Sequence, residues 1–361
     1  MSLFSGHVAD THDRRRIALY SLAVLVVCSF ALWFLSRDPT TVPLGKTALA
    51  VRVRVNAIYA VIVVSGVARA FLQPARQALS AELVTRALFT NSVTWRSGSW
   101  QLAAVLGPAL GGVLYAIGGT NLGYVTAAML MMFATGLMIA VRHKSPIRHI
   151  TEEPIIERLT GGLRFVFGEP MLLSALTLDL FSVLFGGATA LLPVFAAEIL
   201  HVGPSGLGFL RASPAVGAVI MSVLLTRWPP FNHTGKSLLI AVTGFGACMI
   251  GFGLSTAFWL SVALLAFSGA FDAVSVVIRS VMLQARTPEQ LLGRVSAVNQ
   301  IFIGSSNEIG AFESGISAKW LGTVPSVVLG GIATLVVVGV VAWRNPTLRR
   351  LRQLHPELKA A

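Results

Sequence analysis

Charge is what this chain has least of. Asp, Glu, Lys and Arg make up only 12% of its 361 residues, about half the share of an ordinary soluble domain. Too few charges are present to solvate a water-soluble fold of this length, so soluble multidomain readings are excluded. Cysteine is nearly missing too. Cys28 and Cys248 both fall in apolar runs, which excludes a disulfide framework. The seven histidines (His7, His12, His143, His149, His201, His233 and His355) lie in loops or tails, and none forms a His-rich metal or acyl-transfer constellation with acids at helical spacing. No metal, no cofactor and no enzyme chemistry is expected. The chain also lacks a charged opening followed by a short apolar core and cleavage site, so no signal peptide is expected. Gly235-Lys236-Ser237 imitates the end of a phosphate-binding loop, but Pro230 stands where the first glycine should be and no strand precedes it.

What is abundant is apolar length. Hydrophobic residues reach 55%, and a span needs about 20 mainly apolar residues to cross the hydrocarbon. Ten such runs are present, at 16–36, 54–75, 97–117, 121–142, 171–192, 206–226, 237–254, 257–282, 296–317 and 325–343. The chain therefore reads as an all-α polytopic membrane protein. The net charge of +13 does not point to nucleic acid, because the basic residues sit at the ends of the runs. If residues 6–16 are cytoplasmic, the cytoplasmic segments hold 20 of the 28 Lys and Arg. The outer segments then hold five: Arg37, Lys46, Arg52, Arg54 and Lys319. That bias places both termini in the cytoplasm, with Lys46, Arg52 and Arg54 as the discordant cluster.

Residues 143–170 form the longest polar stretch, and within it Ile155, Ile156 and Leu159 are spaced as a short amphipathic helix. This linker divides an N-terminal bundle of four spans (1–142) from a C-terminal bundle of six (171–343), followed by a basic tail (344–361). Shifting the sequence on itself by 203 residues aligns Arg76 with Arg279, Leu88 with Leu291, Gly107 with Gly310, Gly112 with Gly315 and Gly119 with Gly322. Such an offset is the pattern of parallel repeats.

Charges inside spans are costly and by default functional. Near mid-span stand Asp179, Asp272 and Glu308; Arg69, Arg211, Arg279 and Glu313 lie nearer the ends. Asp272 and Arg279 share a helix face but are about 10 Å apart along it, so each needs a partner elsewhere or water. A carboxylate there can bind and release a proton, or can form a structural ion pair between helices. Gly107-Pro108-Ala109-Leu110-Gly111-Gly112 is a small-residue stripe that lets a second helix approach, with Pro108 able to kink its own.

The segment Gly6-His7-Val8-Ala9-Asp10-Thr11-His12-Asp13-Arg14-Arg15-Arg16 resembles the signature loop of the major facilitator superfamily. The pattern there is Gly-x-Leu-Ala-Asp-Arg-x-Gly-Arg-Arg. Gly6, Ala9, Asp10, Arg14 and Arg15 match, Val8 replaces Leu, and Thr11 and Asp13 depart from it. In that family the loop joins the second and third spans. The resemblance therefore implies a two-bundle fold of about ten transmembrane helices, with the first helix and most of the second missing. The runs Gln73-Pro74-Ala75-Arg76-Gln77-Ala78-Leu79 and Arg279 to Asn299 are similar to the enterobactin-exporter-like, transmembrane-secretion-effector branch.

The branch implies a secondary active transporter of the bacterial inner membrane: a proton-coupled, monomeric exporter of a siderophore or drug-like small molecule, working by alternating access with its site between the halves. Its partners would be the small-molecule substrate, protons and membrane lipids, not nucleic acid. Gly6, Asp10, Arg14, Arg15 and Arg294 would form a conformational latch, with Asp10 facing the start of the helix at Arg294. Arg69, Asp179, Asp272, Arg279, Glu308 and Glu313 would serve proton coupling or the substrate cavity. Gly107, Pro108, Gly111 and Gly112 would pack helices as in exporters of the superfamily. The other reading is a shortened, non-transporting homologue or a misplaced start of such a transporter.

Overall fold

A computed structural model describes residues 13–36, 48–83, 89–141, 155–186, 188–228 and 233–351. The described residues are almost wholly helical, with no strand among them. Helix α1 is Arg14–Ser36, α2 Ala48–Glu82, α3 Phe89–Ala140, α4 Ile155–Gly168 and α5 Pro170–Gly186. After an irregular helical passage through 188–199 come α6 Gly203–Arg227, α7 Thr234–Leu254, α8 Phe258–Arg286, α9 Glu289–Leu321, α10 Thr323–Arg344 and the short α11 Pro346–Arg350.

Eight described stretches are long and apolar enough to cross a membrane. One of them, Ser99–Ala140, is 42 residues long and breaks at Gly118 and Gly119, so it makes two passes. Helix α9 is long enough but carries Asn299, Gln300, Asn307, Glu308 and Glu313, which keep it out of the eight. Among the described residues, splitting that stretch gives nine apolar passes, and α9 is a tenth helix of spanning length but lower hydropathy. The chain is a multi-pass membrane protein.

The 203-residue repeat reappears as local geometry. Gly119 has φ +61° and Gly322 φ +92°, a region that L side chains avoid and glycine enters freely. Each is the pivot between two consecutive helices: the limbs of α3 in one case, α9 and α10 in the other.

The chain divides into two compact units: Met1–Trp100 with Val113–Glu152, and Gln101–Gly112 with Glu153–Ala361. In the first unit α1 and α2 run antiparallel. Ala18 and Ala75 are fully buried together near one end, and Arg54 donates to the Leu35 carbonyl near the other. Asp13 caps α1, its Oδ1 accepting the Arg15 amide at 3.0 Å.

The second unit is more tightly packed. Helices α6 and α8 approach so closely that a Cβ on Gly217 would overlap the Ala266 carbonyl oxygen, and one on Gly269 that of Pro214. Without a hydrophobic drive between helices in lipid, such backbone approach is what holds them. Phe195 and Phe252 stack with centroids 4.6 Å apart inside a cluster with Leu192, Leu210, Met249 and Leu265.

Helix α4, the amphipathic stretch expected in the linker, does not hang free. Its Gly162 lies so near the Arg294 backbone that a Cβ would come 2.8 Å from the Arg294 carbonyl oxygen, and its Val166 is buried with Val295 and Val298. The chain after α10 also folds back. Asn345 caps α11 through the Leu348 amide and donates to the Pro170 carbonyl at 3.1 Å and to Ser174 at 2.6 Å. Leu348 is thereby fully buried. Exposed tryptophans mark both ends of the unit: Trp259 and Trp320 at one, Trp228 and Trp343 at the other. That is where amphipathic rings meet a membrane–water boundary.

Candidate functional site

The sequence places four acids and several arginines within spans, and the structure sorts them. Asp179 of α5 and Arg279 of α8, a hundred residues apart, form an ion pair between Oδ2 and Nη1. Both are buried, at 4% and 7% exposure. The carboxylate neutralises a charge that would otherwise be prohibitive at this depth. The Arg279 Nε is buried with no hydrogen-bond partner among the described residues. Just before α5 and at the end of α8, Glu169 and Arg286 pair at 3.6 Å, both partly exposed. Two cross-links therefore tie α5 to α8, one at the end of the helices and one deep between them.

Asp272 stands two turns before Arg279 on α8 and is half-buried. It forms no ion pair or hydrogen bond among the described residues. The long reach between Asp272 and Arg279 is thus settled for one partner only: Arg279 finds Asp179, and Asp272 is left free. Ser268 and Ser275, both buried, lie on the same face. A carboxyl without a counter-charge among the described residues can take up and release a proton without breaking a salt bridge.

The other candidates separate. Glu313 is half-buried, while Glu308, Arg69 and Arg211 are exposed. In the small-residue stripe, Gly112 packs closely, since a Cβ there would come 2.8 Å from the Pro204 carbonyl oxygen and 2.9 Å from the Gly208 Cα. Gly107 and Gly111 have open space instead. Pro108 lies within α3 without ending it, and its carbonyl faces Gly208.

Gly6 and Asp10 lie outside the described residues. Arg15 donates from Nη2 to the Ile139 carbonyl at 2.8 Å, Arg14 opens α1, and Arg294 is held under α4.

Comparison with known proteins places this geometry. The model of the transmembrane secretion effector family matches residues 1–357. The chain belongs to that family, within the major facilitator superfamily.

Among curated relatives, the enterobactin exporter EntS of Shigella flexneri is 27% identical over 263 residues, which are 72% of this chain and 62% of that protein. EntS of Escherichia coli O1:K1 is 26% identical over 261 residues with the same shares. The alignment spans about three fifths of the length of these curated relatives. Among solved structures, a mutant form of the peptide transporter POT superposes with TM-score 0.68 at 14% identity, covering 98% of this chain and 85% of that one. A bacterial homologue of the human lysosomal transporter Spinster, inward-facing and unoccupied, gives 0.68 at 15%, covering 99% and 88%. At these identities the two structures show the fold. The family is one of transporters, not enzymes.

For this secretion effector, the sequence left three features unseen. Asp13, which departs from the signature pattern, turns out to be the α1 cap. Glu169 and Arg286 were passed over because they sit outside the spans. The exposed amides of α9 carry no charge, so they do not stand apart from the apolar run around them as its acids do.

Proposed function

We propose that this secretion effector is the membrane portion of a proton-coupled exporter of a small organic molecule, acting by alternating access in the bacterial inner membrane. The observation that carries this reading is Asp272: a half-buried carboxyl in the middle of a membrane-spanning helix, with no counter-charge among the described residues. Charged side chains at mid-span are retained for ion or substrate pathways, and an acid without a salt bridge is free to cycle its proton.

Arg227, Lys236, Arg286, Arg294, Arg344 and Arg349 gather at one end of the second unit's helices, whereas Lys319 lies at the other. That asymmetry supports the basic end, and with it both termini, as cytoplasmic. The Asp179–Arg279 pair would position α8, and so Asp272, against α5. Arg69, Glu308 and Glu313 would line the substrate path. The signature loop with Arg294 would act as a latch whose contacts differ in free energy between the two end states. The relatives' names make a siderophore such as enterobactin the first cargo to try, and the protein would work as a monomer among lipids.

The test is enterobactin accumulation in everted vesicles carrying the full chain, with and without an uncoupler. Accumulation should require the proton gradient, and Asp272→Asn should reduce it at least tenfold. Accumulation unchanged by the substitution removes Asp272 from coupling.

A further inference from the structure

Helix α9 presents two different exposed flanks. Its buried ridge runs through Val295, Val298, Ser306, Gly310 and Ser314, and at Gly310 the carbonyls of Val183 and Leu184 in α5 come close. At roughly 100° per residue, Ile309, Phe312 and Ile316 fall to one side of that ridge. They are 55%, 70% and 36% exposed, an apolar surface suited to lipid. To the other side fall Gln300, Gly304, Asn307, Glu308, Ala311 and Gly315, all exposed.

Glu308 is near the middle of this 33-residue helix and makes no hydrogen bond or ion pair among the described residues. An ionised group on a lipid-facing surface at that depth would cost about 3 kcal/mol or more, and the amides of Asn307 beside it and Gln300 two turns below would add to it. Hydrocarbon cannot be what this flank faces.

We propose that the Gln300–Gly315 flank of α9 is a water-lined wall of the cargo path, and that it selects cargo bearing cationic or hydrogen-bond-donating groups. Glu308 is its only formal charge, and beside it the Asn307 amide already donates to the Ile303 carbonyl at 2.8 Å, which leaves its Oδ1 to accept. The other charges near α9 do not cancel it. Asp179 and Arg279 neutralise each other, Asp272 and the half-buried Glu313, toward the ridge of α9, are further acids, and Arg294 and Lys319 stand roughly 20 and 16 Å away along the helix. Only the word cargo rests on the transporter reading; that the flank is wet and negative does not.

The experiment uses the full chain with Cys28→Ala and Cys248→Ala, both native cysteines being buried. Single cysteines are introduced by Asn307→Cys and Gly304→Cys on the wet flank, and by Ile309→Cys and Ile316→Cys on the other, Phe312 being left alone because it stands one turn from Glu308. Membrane vesicles are then treated with two impermeant methanethiosulfonates, one carrying a trimethylammonium and one a sulfonate. The wet-flank cysteines should react at least tenfold faster than the lipid-flank pair.

Normalised to a free thiol, the cationic reagent should be favoured roughly fivefold or more, as expected of a unit charge some 7 Å away in water. Adding Glu308→Gln should bring that preference back to one. Equal labelling of the two flanks, or a preference that survives Glu308→Gln, overturns the proposal. Should Gly304→Cys fail to insert, Asn307→Cys alone decides. Labelling needs no transport, so a failure of export leaves this result readable.

Discussion

Removing one member of the Asp179–Arg279 pair should be far more harmful than removing both. Each group is more than nine-tenths buried, so Asp179→Leu strands a guanidinium, and Arg279→Met strands a carboxylate, with no second counter-charge among the described residues. An uncompensated buried charge of this kind costs about 3–5 kcal/mol. At roughly 2–4 °C per kcal/mol for a unit of some 200 residues, either single variant should lower the melting temperature by about 6–20 °C. The double variant replaces the ion pair with apolar side chains of similar bulk. It should melt within about 5 °C of the parent, because desolvation offsets most of what a buried pair gains. The assay is thermal unfolding of the purified chain in one detergent at one scan rate, since membrane proteins often unfold irreversibly. Two results would refute the argument: single variants that cost less than about 1 kcal/mol, or a double variant whose loss equals the sum of the singles. The first would mean the pair is hydrated; the second, that the two groups do not interact.

Gly217→Ala forces a methyl into the Ala266 carbonyl and should cost about 1–3 kcal/mol as overpacking, read as a lower melting temperature. Gly66→Ala is its control. Gly66 stands 203 residues before Gly269 yet has nothing within 4 Å, so the added methyl should be neutral or stabilise by up to about 1 kcal/mol. Asn345→Ala removes both the α11 cap and the tie to Pro170 and Ser174. It should cost about 0.5–2 kcal/mol and make the segment after Arg344 the first site of limited proteolysis.

The spans were legible because burial in lipid demands a length, and length survives in sequence whatever the helices do afterwards. The repeat was legible for a related reason: glycines that must pivot or admit a neighbour, such as Gly119 and Gly322, keep their spacing. The pairing of Asp179 with Arg279 was not readable. Their helices are not consecutive, and nothing in the spacing of either reveals which other helix it will meet. Asp272 could be singled out, but that it would be the acid left without a partner required the structure. In the sequence the tail is basic, with Arg349 and Arg350 standing beside the buried Leu348. The single Leu348 that anchors it carries no periodicity to notice. The polar flank of α9 was present in the spacing of residues 300, 304, 307, 308, 311 and 315, and would have emerged from plotting amides as well as acids.

One residue, Gly322, is all that separates the 33-residue α9 from α10. A connection that short stores no slack, so tilting either rod hauls on its neighbour. The far end of α10 is tethered in turn through Asn345 to the foot of α5. Any stroke that tips the Glu308 face must therefore move a three-part linkage together, and lengthening the pivot by a few flexible residues would uncouple it while leaving every helix intact.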